Sequence, residues 1–178
     1  MVLTPSAMVP LGTPAPDFTL LNPTTGQQQS LSDLRGELLT VVIFMCNHCP
    51  YVVHIKDALI EVVEDLQSDL VKFIGINAND PVTHPDDAPE KMADENYPFP
   101  YVFDDTQEVA HAYKAECTPD IFVYDEDMKL IYRGQFDESR PGKGEATGDD
   151  LRNAVELALV GEVIDPQYPS SGCNIKWR

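Results

Sequence analysis

The stretch Leu38-Leu39-Thr40-Val41-Val42-Ile43-Phe44-Met45-Cys46-Asn47-His48-Cys49-Pro50 decides how the chain is read. Leu38 to Phe44 is a continuous apolar, β-branched run, and a run without polar alternation suits a central strand covered by helices on both faces. Two cysteines in C-x-x-C spacing follow it directly. Beyond them Ile55, Ala58, Leu59, Val62, Val63 and Leu66 recur at spacings of three and four, while Lys56, Asp57, Glu61, Glu64 and Asp65 fill the opposite side. That pattern predicts an amphipathic helix. Val71 to Ile76 is a second apolar strand, and strand, helix and strand in this order make a parallel βαβ unit.

The cysteine pair therefore falls where a buried strand ends and a helix begins. Free N–H groups and the positive end of the helix dipole stabilise a thiolate there, which lowers the thiol pKa and makes the sulfur nucleophilic near neutrality. Cys46, expected to be the more exposed, reads as the nucleophile. Cys49, expected inside the helix, reads as the thiol that resolves a mixed disulfide. Asn47, His48 and Pro50 are the supporting residues. An imidazole beside the thiolate stabilises it further, and a proline in a first helical turn loses no hydrogen bond.

The bulk properties narrow the function classes. In 178 residues, 12 Lys and Arg stand against 30 Asp and Glu, a formal net charge of -18. Such a surface repels a phosphate backbone and an anionic bilayer, so neither nucleic acid nor membrane is expected as a partner. No basic segment precedes an apolar run at the start, and no stretch approaches the roughly 20 apolar residues of a membrane span. A cytoplasmic location is the expectation. Four cysteines are too few for a disulfide-built scaffold, and C-x-x-C in that setting points to redox chemistry or to half of a zinc site. The other ligand types, Cys117, Cys173, His54 and His111, form no second close pair, so neither a metal nor another cofactor is expected.

Working outward, one domain over 1–178 is expected. Pro5, Pro10, Pro14 and Pro16 make residues 1–11 an extended lead-in. Asp17 to Leu21 and Gln27 to Leu31 form an N-terminal hairpin, and residues 77–100 are a proline-rich acidic insert with a short helix near 88–96. Asp86, Asp87, Glu90, Asp94 and Glu95 read as a solvated face. A strand at 101–103, a helix at 107–115 and a hairpin of 121–124 with 129–133 follow. A closing helix is capped within Thr147 to Asp150, buries Leu151, Ala154, Val155, Ala158 and Leu159, and stops at Gly161. The tail, 162–178, is expected to pack near the active site, with Trp177 holding it to the body.

Gly12-Thr13-Pro14-Ala15-Pro16-Asp17-Phe18 resembles the G-x-x-A-P-x-F opening of peroxiredoxins (alkyl hydroperoxide reductase and thiol-specific antioxidant, AhpC/TSA) and related thioredoxin-like proteins. The similarity continues through Cys46-Asn47-His48-Cys49-Pro50, Cys117-Thr118-Pro119-Asp120, Tyr132-Arg133-Gly134, Asp137 to Pro141 and Ser171 to Trp177. The resemblance implies an α/β, thioredoxin-like fold with a central mixed β-sheet flanked by helices. It also implies a cis Pro119 facing the C-x-x-C, with Thr118 offering its backbone to an extended substrate. The activity implied is thiol–disulfide exchange with a protein or small-molecule disulfide, recharged by an external thiol reductant such as a thioredoxin or glutathione system.

Two departures keep alternatives open. Cys46 takes the place of the peroxiredoxin Thr or Ser, and no Arg stands at the Pro119 corner; in that alignment Cys49 is the peroxidatic sulfur, so an antioxidant peroxidase is the second reading. Thr40 takes the place of the thioredoxin acid, leaving His48 or solvent to move the Cys49 proton. Cys117 and Cys173 are accessory thiols that either pair as a relay, with Cys173 also able to serve as an external resolving thiol, or are a buried hydrophobe and a free surface thiol. A non-catalytic or zinc-binding module of the same fold is the third reading.

Overall fold

The structure is a computed structural model that describes residues 2–178. Its elements in chain order are β1 (Leu3–Pro5), β2 (Thr19–Asn22), β3 (Gln27–Ser30), α1 (Leu31–Leu34), β4 (Leu39–Phe44), α2 (Pro50–Leu66) and β5 (Val71–Asn77). A 3₁₀ turn at Pro85–Asp87 and α3 (Pro89–Ala93) fill the insert. They are followed by β6 (Tyr101–Phe103), α4 (Glu108–Tyr113), β7 (Cys117–Thr118), β8 (Asp120–Tyr124), β9 (Leu130–Gly134), α5 (Asp149–Leu159) and β10 (Ser171–Asn174).

Seven strands form the central sheet in the order β3-β2-β6-β5-β4-β8-β9. β4 pairs parallel with β5 and antiparallel with β8, so the sheet is mixed, as expected. Every residue of β4 is buried, and the pleat divides them. Leu39, Val41 and Ile43 face α2 and α5 with Val71 and Phe73, whereas Val42 and Phe44 face α1 and α4 with Ile74, Ile76 and Phe122. Helices on both faces explain why this strand shows no polar alternation. No helix of the described residues is long and apolar enough to cross a membrane.

A second sheet has three strands in the order β1-β10-β7. It changes the reading of the N-terminal lead-in, because Leu3, Thr4 and Pro5 pair antiparallel with Cys173, Gly172 and Ser171. Pro5 is tolerated at the end of an edge strand, where its missing N–H breaks no ladder. The closing helix is capped within the expected segment, Thr147 to Asp150. Gly148, at φ 72°, is the N-cap of α5 and contributes no side chain; instead Asp137 accepts from the N–H groups of Thr147 and Gly148 at 2.7 and 2.8 Å. That carboxylate fixes the turn that leads into the helix, while the N–H of Leu151 donates to the Phe136 carbonyl at 3.3 Å.

Candidate thiol redox site

The chain leaves β4 at Phe44, is tied once more to the sheet by Met45 N–H donating to the Ile76 carbonyl at 2.9 Å, and then passes through Cys46, Asn47 and His48 into α2. Cys49 is the N-cap of that 17-residue helix and Pro50 its first residue. This corrects one expectation, since Cys49 stands at the helix end rather than inside it, and neither sulfur is exposed. Cys46 is 1% exposed and Cys49 0%. At the N-cap, Cys49 rather than Cys46 adjoins the first turn of α2, and Pro50 brings no N–H of its own to that turn.

The two sulfurs have opposite electrostatic surroundings. Donation from Cys46, together with Cys173, Thr118 and the Val52 N–H, lowers the Cys49 pKa to about 5 against the cost of burial. Cys46 is held well above the usual thiol range by that same contact with Cys49, then by burial and by the nearby Asp87 carboxylate. These surroundings favour the thiolate on Cys49 over Cys46. A thiolate absorbance titration should show a step near pH 5 in the reduced protein, lost as pH falls through that value and missing in Cys49→Ser. A first thiol step near pH 9 would contradict the assignment.

Asp87 is the residue that sequence reasoning placed wrongly. It is fully buried. It accepts from the Asn47 N–H at 2.7 Å and Asn79 Nδ2 at 2.8 Å, and it pairs with His48 Nδ1 at 2.5 Å. Asn47 also donates through Nδ2 to the Asp86 carbonyl at 2.8 Å and accepts from the Tyr101 hydroxyl at 2.9 Å. The insert thus clamps the cysteine loop through both of its middle residues. Nothing in the acidic run Asp86 to Glu95 distinguishes one carboxylate from the others, so no local signal was available. Cys46 Sγ, a His48 ring nitrogen and an Asp87 oxygen lie within 4.8 Å of one another, a set that could hold a soft divalent ion. The carboxylate already has three donors, which suits it to orient His48.

Thr118 and Pro119 face the pair, and the bond between them is cis. Thr118 Oγ1 lies 3.5 Å from Cys46 Sγ, and its carbonyl lies 3.4 Å from Cys49 Sγ. The Thr118 backbone is not free for a substrate, however, because β10 pairs with β7 and sets Cys173 opposite Thr118. Cys173 is 2% exposed and its Sγ is 2.7 Å from Cys49 Sγ. The surface-thiol reading of Cys173 is thereby corrected. Cys117 points its sulfur at the Pro119 carbonyl, 3.6 Å away, and burial pushes its pKa up.

An arginine does reach the Pro119 corner. Arg133 of β9, fully buried, donates through Nη2 to Asp120 Oδ2 at 3.0 Å and to the Lys114 carbonyl at 2.7 Å, and stacks on Phe122. Strand pairing brings it there from a distance in sequence, and its charge is held by Asp120. Of the other histidines, His54 contacts Ser139 Oγ at 2.8 Å and His111 stacks on Trp177 with ring centroids 4.2 Å apart.

The AhpC/TSA family model matches residues 11–133. The chain belongs to the AhpC/TSA family. Among solved structures, an uncharacterized conserved protein of Geobacillus kaustophilus is 44% identical, with TM-score 0.96, covering 100% of this chain and 97% of its own. A hypothetical protein of Sinorhizobium meliloti is 41% identical, with TM-score 0.95 and 98% coverage of both chains. The thioredoxin domain of a thiol-disulfide oxidoreductase from Bacteroides vulgatus superposes with TM-score 0.62 at 19% identity, covering 83% of this chain and 99% of that one. The fold of this AhpC/TSA protein is thus thioredoxin-like. No curated protein sequence matches the chain.

Proposed function

We propose that this AhpC/TSA protein is a thiol–disulfide oxidoreductase working through Cys46 and Cys49. The observation that carries the reading is the position of Cys49: it is the N-cap of α2, its sulfur lies against Thr118 and Cys173, and its surroundings lower its pKa while those of Cys46 raise the pKa of that thiol. Cys49 attacks one sulfur of a substrate disulfide, a bond forms to that sulfur, and the other half leaves as a thiolate. Cys46 gives up its proton to the thiolate that has just left, with His48 beside it and held by Asp87, and attacks the Cys49 sulfur. The second substrate thiol leaves and Cys46–Cys49 closes. An external dithiol or glutathione-type reductant restores the reduced pair. Relative to the expectation from sequence, the nucleophile and the resolving thiol exchange places.

Both sulfurs are sealed at rest, and the cleft beside Pro119, lined by Tyr51, His54, Phe136 and Ser171 among others, holds only about 20 Å³. That burial favours one second reading, a peroxidase in which a small hydroperoxide reaches the Cys49 thiolate and leaves it as a sulfenic acid. The test is to mix stoichiometric reduced protein with a small aromatic disulfide, and separately with hydrogen peroxide. Two equivalents of aromatic thiol released per chain, faster than peroxide is consumed, is the expected result. Peroxide consumption outrunning disulfide reduction, or no thiol release, would overturn the proposal.

A further inference from the structure

Cys173 reaches the redox centre on β10, its sulfur 2.7 Å from Cys49 Sγ. β10 lies between β1 and β7, and Cys173 stands opposite Thr118 in the register, the position an extended substrate would need. The approach is close enough to require glycine. A Cβ on Gly172 would lie 2.1 Å from the Thr118 carbonyl oxygen, so any larger residue lifts the strand. The strand is fixed on both sides. Ser170 Oγ donates to the Gly134 carbonyl at 2.8 Å, and Lys176 N–H donates to Asn79 Oδ1 at 2.8 Å, while the Lys176 carbonyl accepts from Gln107 Nε2 at 2.9 Å. Asn79 is also a ligand of Asp87, so the tail and the cysteine loop hang on one buried network.

Resting on the reading above, we infer that Cys173 is a third redox thiol of the centre, carried by an internal strand that occupies the substrate edge and exchanges with Cys49. In the oxidised protein the Cys173 sulfur, once deprotonated, attacks Cys49 of the Cys46–Cys49 disulfide. A Cys49–Cys173 bond forms, the Cys46–Cys49 bond breaks, and its electron pair leaves on Cys46. The proton lost by Cys173 ends on Cys46, next to His48. One disulfide replaces another, so no oxidant or reductant is consumed. Burial and the neighbouring Cys49 push the Cys173 thiol up to about 12, while the Tyr51 N–H and Lys176 act the other way. Once Cys49 is held in a disulfide and its negative charge is gone, one of those opposing influences disappears. Cys117 stays outside the exchange.

The experiment repeats the aromatic-disulfide reaction with full-length variants, counts released thiol, and maps linkages after acid quench and alkylation. Cys46→Ser is expected to release two equivalents and to close Cys49–Cys173. Cys46→Ser/Cys173→Ser is expected to release one and to keep the aromatic adduct on Cys49. A single equivalent from Cys46→Ser, with the adduct on Cys49 and Cys173 free, would overturn the third-thiol inference and leave the exchange function standing. No adduct and no disulfide at Cys49 in either variant would overturn the exchange function itself. Oxidised wild type gives a check free of folding defects: the Cys49–Cys173 peptide is expected beside Cys46–Cys49, and its absence counts against the inference. Gly172→Ala, by lifting β10, is expected to deplete the Cys49–Cys173 peptide relative to Cys46–Cys49.

Discussion

Replacing Cys49 with serine is expected to lower the rate of disulfide reduction by about a thousandfold or more, because a serine hydroxyl in the same N-cap site remains protonated at any useful pH and cannot attack sulfur. The fold should survive, since the exchange is nearly isosteric and the hydroxyl keeps donors and acceptors within reach. Circular dichroism and melting would verify that before the kinetics are read. Cys46 cannot substitute efficiently: its pKa is raised by burial and by Asp87, so its thiolate fraction near neutrality is small. A Cys49→Ser protein that keeps the wild-type rate would place the reactive thiolate elsewhere and remove the basis of the mechanism.

The largest effect on stability is expected at Arg133. Both partners of the Arg133–Asp120 pair are 0% exposed. Removing the guanidinium in Arg133→Ala leaves a carboxylate without solvent or counter-ion, a loss of about 3–5 kcal/mol for buried pairs of this kind. The cost has a pH signature. Burial already raises the Asp120 pKa against the pull of Arg133, so without Arg133 it rises further. Below that raised value the acid is neutral and the penalty shrinks. Urea denaturation should show the variant's deficit at pH 7 and a smaller one at pH 5. The double variant Arg133→Met/Asp120→Leu should recover most of the loss, because no charge is then buried. An equal deficit at both pH values, unrelieved in the double variant, would mean that lost packing against Phe122 and not the charge is responsible.

How much of this could be read in advance follows from the range of each interaction. β4, α2 and β5 were legible because periodicity is local: a fully apolar strand and a stripe at spacings of three and four need no partner to be recognised. The hairpin of β8 and β9 and the C-x-x-C at a strand–helix junction were legible for the same reason. The features that set the chemistry depend on pairing across the chain. Asp87 meets His48 across 39 residues, Arg133 meets Asp120 across 13, and Cys173 meets Cys49 across 124. In sequence, Asp87 is one acid among several and Cys173 one cysteine in a polar tail. β1 was missed because its proline density masked a three-residue edge strand whose partner lies near the other end of the chain.

Trp177 is the one tryptophan in the sequence. It lies three residues beyond β10 and stacks on the exposed His111 of α4 at an interplanar angle of 13°. All indole emission from the protein therefore originates on the segment that carries Cys173 to the sulfur centre. The imidazole stacked on it belongs to the body, not to the tail. The molecule thus contains its own optical gauge of tail docking, because undocking the strand would part this indole from the body residues it packs against.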